Sequence, residues 1–142
     1  MLALGVPWSL RCLLYTQVSE KPKSFPLKLH IFDTGGHDCF KQIREEFYVD
    51  SQAVLMTFSL ENKVTFDNLK NYWMKELESN IDEHRRDNLI MVVVGTKSDS
   101  VNLEVKSDEA RTWVETKPGW KYFETSSQNG QNVGECFDYR TG

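Results

Sequence analysis

Two uninterrupted apolar runs of strand length constrain this chain most: Ala53–Ser59 (AVLMTFS) and Leu89–Gly95 (LIMVVVG). A strand with one wet face alternates polar and apolar side chains, so runs without alternation imply strands covered on both faces. Strands of that kind belong to parallel sheets, whose neighbours need a crossover between them, usually a helix. The segment between the runs supplies one. Phe66, Leu69, Tyr72, Trp73, Leu77 and Ile81 recur at helical spacing and predict one buried stripe, with Thr65 as N-cap. Leu27–Asp33 (LKLHIFD) sets Leu27, Leu29 and Ile31 on one face and reads as an earlier strand, and Tyr122–Phe123 as a shorter fourth. A second helix is expected from Ser107, with Asp108 and Glu109 where negative charge favours the helix N-terminus. It would bury Ala110, Trp113 and Val114 and stop at Pro118–Gly119, and a last helix is expected near Asn132, with Val133, Cys136 and Phe137. Alternating strands and helices predict an α/β fold with a mostly parallel sheet and helices on both faces.

Several function classes are excluded by what the residues lack. The 17 basic and 21 acidic side chains leave a net charge of −4, the wrong sign for a nucleic-acid binder that must displace counterions from phosphate. Cys12, Cys39 and Cys136 form no CxxC pair, and His30, His37 and His84 stand at no metal-ligand spacing from them. They read as plain reduced thiols. Met1–Leu10 is uncharged but far short of the roughly 20 residues that span a bilayer. It also lacks the basic n-region of a signal peptide, so a cytoplasmic, monomeric protein is expected. The mixed-charge run Asp82–Asp87 (DEHRRD) is expected as a solvated loop.

In a doubly wound sheet, ligands bind outside the carboxyl ends of the strands, so the post-strand loops carry the functional argument. They are Asp33-Thr34-Gly35-Gly36-His37, Gly95-Thr96-Lys97-Ser98-Asp99 and Glu124-Thr125-Ser126-Ser127. Each alone is ordinary, a glycine turn, a surface loop and a cap. Together, in this order, they resemble the Ras superfamily of small GTPases, its Rab branch most closely, over about Leu27 to Phe137. The first is similar to the family's DxxG loop, which opens the second switch, and Phe40 and Phe47-Tyr48 fall where that switch carries aromatics. Thr96-Lys97-Ser98-Asp99 is similar to the NKxD guanine loop in its TKxD form, and Glu124-Thr125-Ser126-Ser127 to the ETSA loop. Phe40–Asp50 (FKQIREEFYVD) and the stretch from Trp113 to Ser126 are similar to the Rab-like group that carries a DnaJ domain, although no His-Pro-Asp tripeptide occurs here.

The resemblance implies an incomplete Ras-like P-loop NTPase fold, GTP or GDP with magnesium as ligands, and switching of partner proteins in signalling and vesicle traffic. Asp99 would accept two hydrogen bonds from the N1–H and amine of guanine, and Lys97 would lay its alkyl stem along the base. Thr96 belongs to the same loop. The Ser127 N–H would donate to guanine O6, with Ser126 shaping the turn. Asp33 would reach magnesium through a water, and the Gly36 N–H would report the γ-phosphate. His37 occupies the slot of the catalytic glutamine that orients the attacking water; histidine can orient water too, or the substitution weakens hydrolysis.

The family's phosphate loop is missing from the 142 residues, and its first switch, with the magnesium-binding Thr, is equally unrecognisable. No Gly-Lys-Ser/Thr occurs, and Gly5, the one glycine before Asp33, is followed by Val6-Pro7-Trp8-Ser9-Leu10-Arg11. The phosphate loop needs GxxxxGK[ST], whose backbone N–H groups and Lys cradle the phosphates. Residues 1–26 are therefore expected as a divergent segment, with Leu14–Lys21 offering one strand that pairs as a hairpin with Leu27–Asp33. Residues 27–142 are expected as a partial GTPase domain without its first strand and first helix. The last residues, Tyr139 to Gly142, offer no CaaX box or cysteine pair for prenylation. Three readings stay open: a small GTPase with impaired nucleotide binding, a nucleotide-independent interaction module working through Gly36–Asp50, and a non-functional fragment. In the second, Phe40 and Tyr48 are expected as exposed aromatics beside Lys41, Arg44, Glu45 and Glu46.

Overall fold

The computed structural model describes residues 30–86 and 88–138. Its centre is a three-stranded sheet of order β1-β2-β3, made of β1 (Ala53–Ser59), β2 (Ile90–Thr96) and β3 (Lys121–Thr125). Both pairings are parallel, with Val54 opposite Met91 and Thr96 opposite Thr125. β2 is the central strand, and Met91 to Gly95 are buried without a break, the burial that a run lacking alternation requires. β1 alternates buried and half-buried positions and is an edge strand among the described residues.

Helices cover the two faces unequally. A 3-10 turn (Asp38–Phe40) leads into α1 (Lys41–Asp50). After β1, α2 (Lys63–Asn68), a π-helical turn (Leu69–Trp73) and α3 (Met74–Asn80) follow without a break. These elements, with α5 (Ser107–Glu115), bury one face: Val54, Met56, Phe58 and Val93 pack with Phe66, Leu69, Trp73, Leu77 and Val114. Trp113 stands edge-on to Phe66 and Trp120 at 5.7 and 6.1 Å between centroids. Such edge contacts add about 0.5–1.5 kcal/mol each beyond their burial. Among the described residues the other face has the smaller cluster. Val92 and Val94 meet Cys136 of α6 (Val133–Asp138), with Leu55 and Phe123 beside them. Burial pushes the Cys136 thiol up to about 11, the value of an inert core cysteine.

Several expectations change. The expected strand 27–33 is not one where it is described: positions 30–33 have no ladder, and Ile31 and Phe32 are 54% and 39% exposed. No described strand lies alongside to take their backbone groups, and Phe32 instead packs on Phe47 at 4.8 Å. Positions 27–29, the strand 14–21 and its hairpin, Cys12 and the last four residues lie outside the described residues. Thr65 is not the N-cap of its helix. Asn62 caps it, accepting from the Val64 N–H at 3.0 Å, while Thr65 Oγ1 accepts from the Ser59 N–H at 2.9 Å and donates to Asn62 O at 2.7 Å. Tyr72 leaves the buried stripe because the Met74 N–H bonds Leu69 O, five residues back. That wider turn advances the stripe by a residue, so Trp73 is buried and Tyr72 is 43% exposed. The charged run folds into a single exposed turn, α4 (Glu83–Arg86), rather than a plain loop. No helix among the described residues is long and apolar enough to cross a membrane.

Candidate functional site

Parallel strands end at the same edge of the sheet, so the loops after β2 and β3 must be neighbours. They are tied together directly: the Ser98 N–H donates to Thr125 O at 3.1 Å. The chain turns out of β2 at Lys97, whose φ of 63° is a left-handed conformation that non-glycine residues adopt infrequently. The Ser100 N–H then closes on Lys97 O at 3.1 Å, and Thr96 Oγ1 donates to Phe58 O at 2.9 Å, anchoring the turn to β1. Asp99 is exposed at the tip, and Ser98 Oγ is buried with no hydrogen-bond partner. Gly95 is required beneath this turn, because a Cβ there would stand 2.9 Å from the Tyr122 hydroxyl and 3.1 Å from Leu60 Cδ2. That hydroxyl donates to Glu124 Oε1 at 2.9 Å, and burial raises its pKa.

The turn after β3 is built around Ser126, which is fully buried. Its Oγ accepts from the Gln128 and Asn129 N–H groups at 3.1 and 3.4 Å, and its N–H donates to Gln131 O at 3.2 Å. Asn132, with φ 55°, donates from Nδ2 to Glu124 O at 2.8 Å and closes the loop. Ser127 stays exposed beside it. Thr96 and Ser126 are thus scaffold, whereas Lys97, Asp99 and Ser127 face solvent.

One member of this cluster was not anticipated. Glu61 pairs with the Lys97 ammonium, and hydrogen bonds from Lys97 and then Ser100 hold its carboxyl below the ordinary glutamate range. Its signal in the sequence is position: it stands two residues past the end of β1, at the same sheet edge as the β2 loop.

Residues 33–37 are held by other means. Asp33 and His37 are exposed, Thr34 is buried and Gly36 is half-buried. His37 caps the 3-10 turn, its Nδ1 accepting from the Cys39 N–H at 3.2 Å. With Nδ1 engaged in that bond, Nε2 is the ring nitrogen left for any further partner. Gly35 lies against Phe40, where a Cβ would approach the ring to 2.9 Å. Arg44 Nη1 then donates to both Gly35 O and His37 O, at 2.7 and 2.8 Å. Arg44 and Tyr48 are therefore not the exposed surface residues expected. Each is 1% exposed, because Glu76 on α3 takes Arg44 Nε and Nη2 at 2.9 and 3.0 Å and the Tyr48 hydroxyl at 3.0 Å. The exposed apolar positions of this segment are Phe40, Ile43 and Val49. Glu76 too has a sequence signal, a charge three residues past Trp73 and seven past Leu69, inside an apolar stripe.

The donor sets differ in what they fit. Exposed Asp99 beside the joined loops offers the paired acceptor oxygens that an N–H/NH₂ edge requires. Among the described residues no group of three or more His, Cys, Asp or Glu could hold a metal ion, and Asp33 offers one exposed carboxylate at its loop.

The family profile that describes the Ras family matches residues 15–141. The chain belongs to the Ras family. Within it, the chain is 38% identical over 113 residues to DnaJ homolog subfamily C member 27 of Homo sapiens, covering 78% of this chain and 41% of that protein. The Gallus gallus protein of that name is 37% identical with the same coverage. DnaJ homolog subfamily C member 27-B of Xenopus laevis is 37% identical over 129 residues, 86% of this chain and 45% of that protein. This Ras-family chain therefore spans less than half the length of the curated relatives it matches.

Proposed function

We propose that this chain is a Rab-like small GTPase domain, spanning 27–142, that recognises guanine while its 142 residues hold phosphate poorly. The observation that carries the reading is the hydrogen bond from the Ser98 N–H to Thr125 O. It joins the TKSD and ETSS loops, as a base pocket shared between them needs. Asp99 takes the N1–H and amine of guanine, Lys97 packs its stem on the ring from a left-handed turn held by Glu61, and the Ser127 N–H meets O6. Thr96 and Ser126 shape the two turns. Asp33, Gly36 and His37 face the phosphates and magnesium, with His37 Nε2 the ring nitrogen left to meet the attacking water.

The magnitude of the phosphate term decides the affinity. Charge-assisted hydrogen bonds contribute about 1.5–3 kcal/mol each, and the absent GxxxxGK[ST] would supply several. Removing about 8 kcal/mol from a nanomolar site leaves roughly millimolar binding. Isothermal titration of the 142-residue chain with GDP and GTP in magnesium tests this: feeble heat is expected, and stoichiometric micromolar-or-tighter binding refutes it. A second reading, a protein-interaction module working without nucleotide through residues 36–50, is favoured by the exposed Phe40 and Ile43 above the buried Arg44. A pull-down that nucleotide leaves unchanged and Phe40→Ala abolishes supports it. Equal capture by that variant sinks it.

A further inference from the structure

We infer that Arg44 is a positioning residue that fixes the 35–37 loop, and with it the outward face of α1, in one conformation without any nucleotide. The inference deepens the second reading above and does not need the guanine loops.

It starts from the accounting a buried guanidinium demands. Arg44 carries five N–H donors and is 1% exposed. Four of these donors make bonds: Nε and Nη2 go to the two oxygens of Glu76, and Nη1 goes to Gly35 O and His37 O. The Trp73 ring lies 5.0 Å from its central carbon and screens it from water. A loop that turned those carbonyls away would take two acceptors from a guanidinium that is itself 1% exposed, and an unmet buried donor is costly. The pair is also fixed from the far side, because the Tyr48 hydroxyl donates to Glu76 Oε1 at 3.0 Å.

Two restraints of other kinds act on the same residues. His37 Nδ1 caps the turn through the Cys39 N–H, and the Phe40 N–H donates to His37 O at 3.0 Å. Peptide reorientation at Gly35–Gly36 would have to break the Arg44 contacts first. Arg44 and Tyr48 occupy one face of α1, one turn apart, while Phe40, Ile43 and Val49 are exposed. The buried face therefore sets where the apolar outer face points.

The test uses the whole 142-residue chain, isotope-labelled and free of nucleotide, so a failure of guanine recognition leaves it unaffected. Backbone order parameters are compared for wild type and the double variant Arg44→Met/Glu76→Met, with Val93 and Val94 amides as the internal reference. Replacing both partners removes the two charges together, although it also takes one acceptor from the Tyr48 hydroxyl, and such replacements often leave stability unchanged. Gly35, Gly36 and His37 are expected near about 0.85 in wild type and below about 0.6 in the double variant, with the β2 amides unmoved. Should the double variant fail to fold, Arg44→Lys answers the same question. It keeps a charge for Glu76 but cannot span two carbonyls, and a partial fall confined to 35–37 is expected. Loop amides that stay as ordered as β2 in the variants, or that are already mobile in wild type, overturn the assignment.

Discussion

The loops after β2 and β3 hang from a hydrogen-bonded ladder, whereas the 35–37 loop is held mainly by side chains, Arg44 foremost. In the first region the strands dictate position: Thr96 lies opposite Thr125, and a backbone hydrogen bond joins the loops that follow. In the second, the Arg44 guanidinium reaches across from α1 to Glu76 on α3 and collects two carbonyls on the way. A ladder spreads its energy over many bonds, each of modest net worth. A buried ion pair concentrates it, so losing one partner leaves the other charged and unpaired. The two regions should therefore fail differently.

The largest effect is expected on the concentrated side. Arg44→Ala should lose about 3–5 kcal/mol in chemical denaturation, because Glu76 is left buried and charged. Arg44→Met with Glu76→Met should recover most of that loss. Equal losses in the single and double variants would show that packing, not charge, holds this region.

Next comes the ladder side. Gly95→Val forces a branched side chain against the Tyr122 hydroxyl and Leu60, and overpacking of this kind costs about 1–3 kcal/mol. Guanine affinity should fall with it, since the turn at Lys97 rests on that position. A Gly95→Val chain as stable as wild type would mean that the ladder gives way more easily than its burial implies. Asp99→Ala sharpens the comparison further. Asp99 is exposed, so stability should move by no more than about 0.5 kcal/mol, while preference for guanosine over adenosine disappears in ligand-detected NMR.

The smallest effect is a pH dependence at the rim. Glu61 has a folded pKa below its ordinary 4.5. A depressed carboxylate contributes stability that is present above the unfolded value and lost as pH falls through the folded one. Titrating the Glu61 carboxyl carbon should give a midpoint below 4.5 that rises in Lys97→Met, with the Ser100 hydrogen bond still holding it down. An unchanged midpoint in that variant would remove Lys97 as the cause. Because both groups are exposed, salt should weaken the effect.

The same contrast explains what was legible in the sequence. β1 runs over the residues of its apolar run, and β2 differs by one residue at each end, because burial on both faces writes itself into composition. α5 starts at Ser107 as its acidic first turn indicated. The loops after β2 and β3 followed from the strands. Tyr72 was misassigned because one bond to the fifth residue back shifts the stripe, and no side-chain pattern announces it. Residues 30–33 read as a strand because alternation is local, whereas a strand needs a neighbour and no described strand pairs with them. Arg44 and Glu76 escaped notice because two charges 32 positions apart give no local pattern, although Glu76 on an apolar stripe asked for a partner.

The most direct test of the account compares guanosine, GMP and GTP with magnesium, and adenosine as control, on the purified chain by ligand-detected NMR. If the base loops are assembled and phosphate is held poorly, guanosine and GTP should bind within about threefold of each other, and adenosine about tenfold more weakly. GTP binding about 100-fold tighter than guanosine, or guanosine and adenosine binding alike, would contradict it.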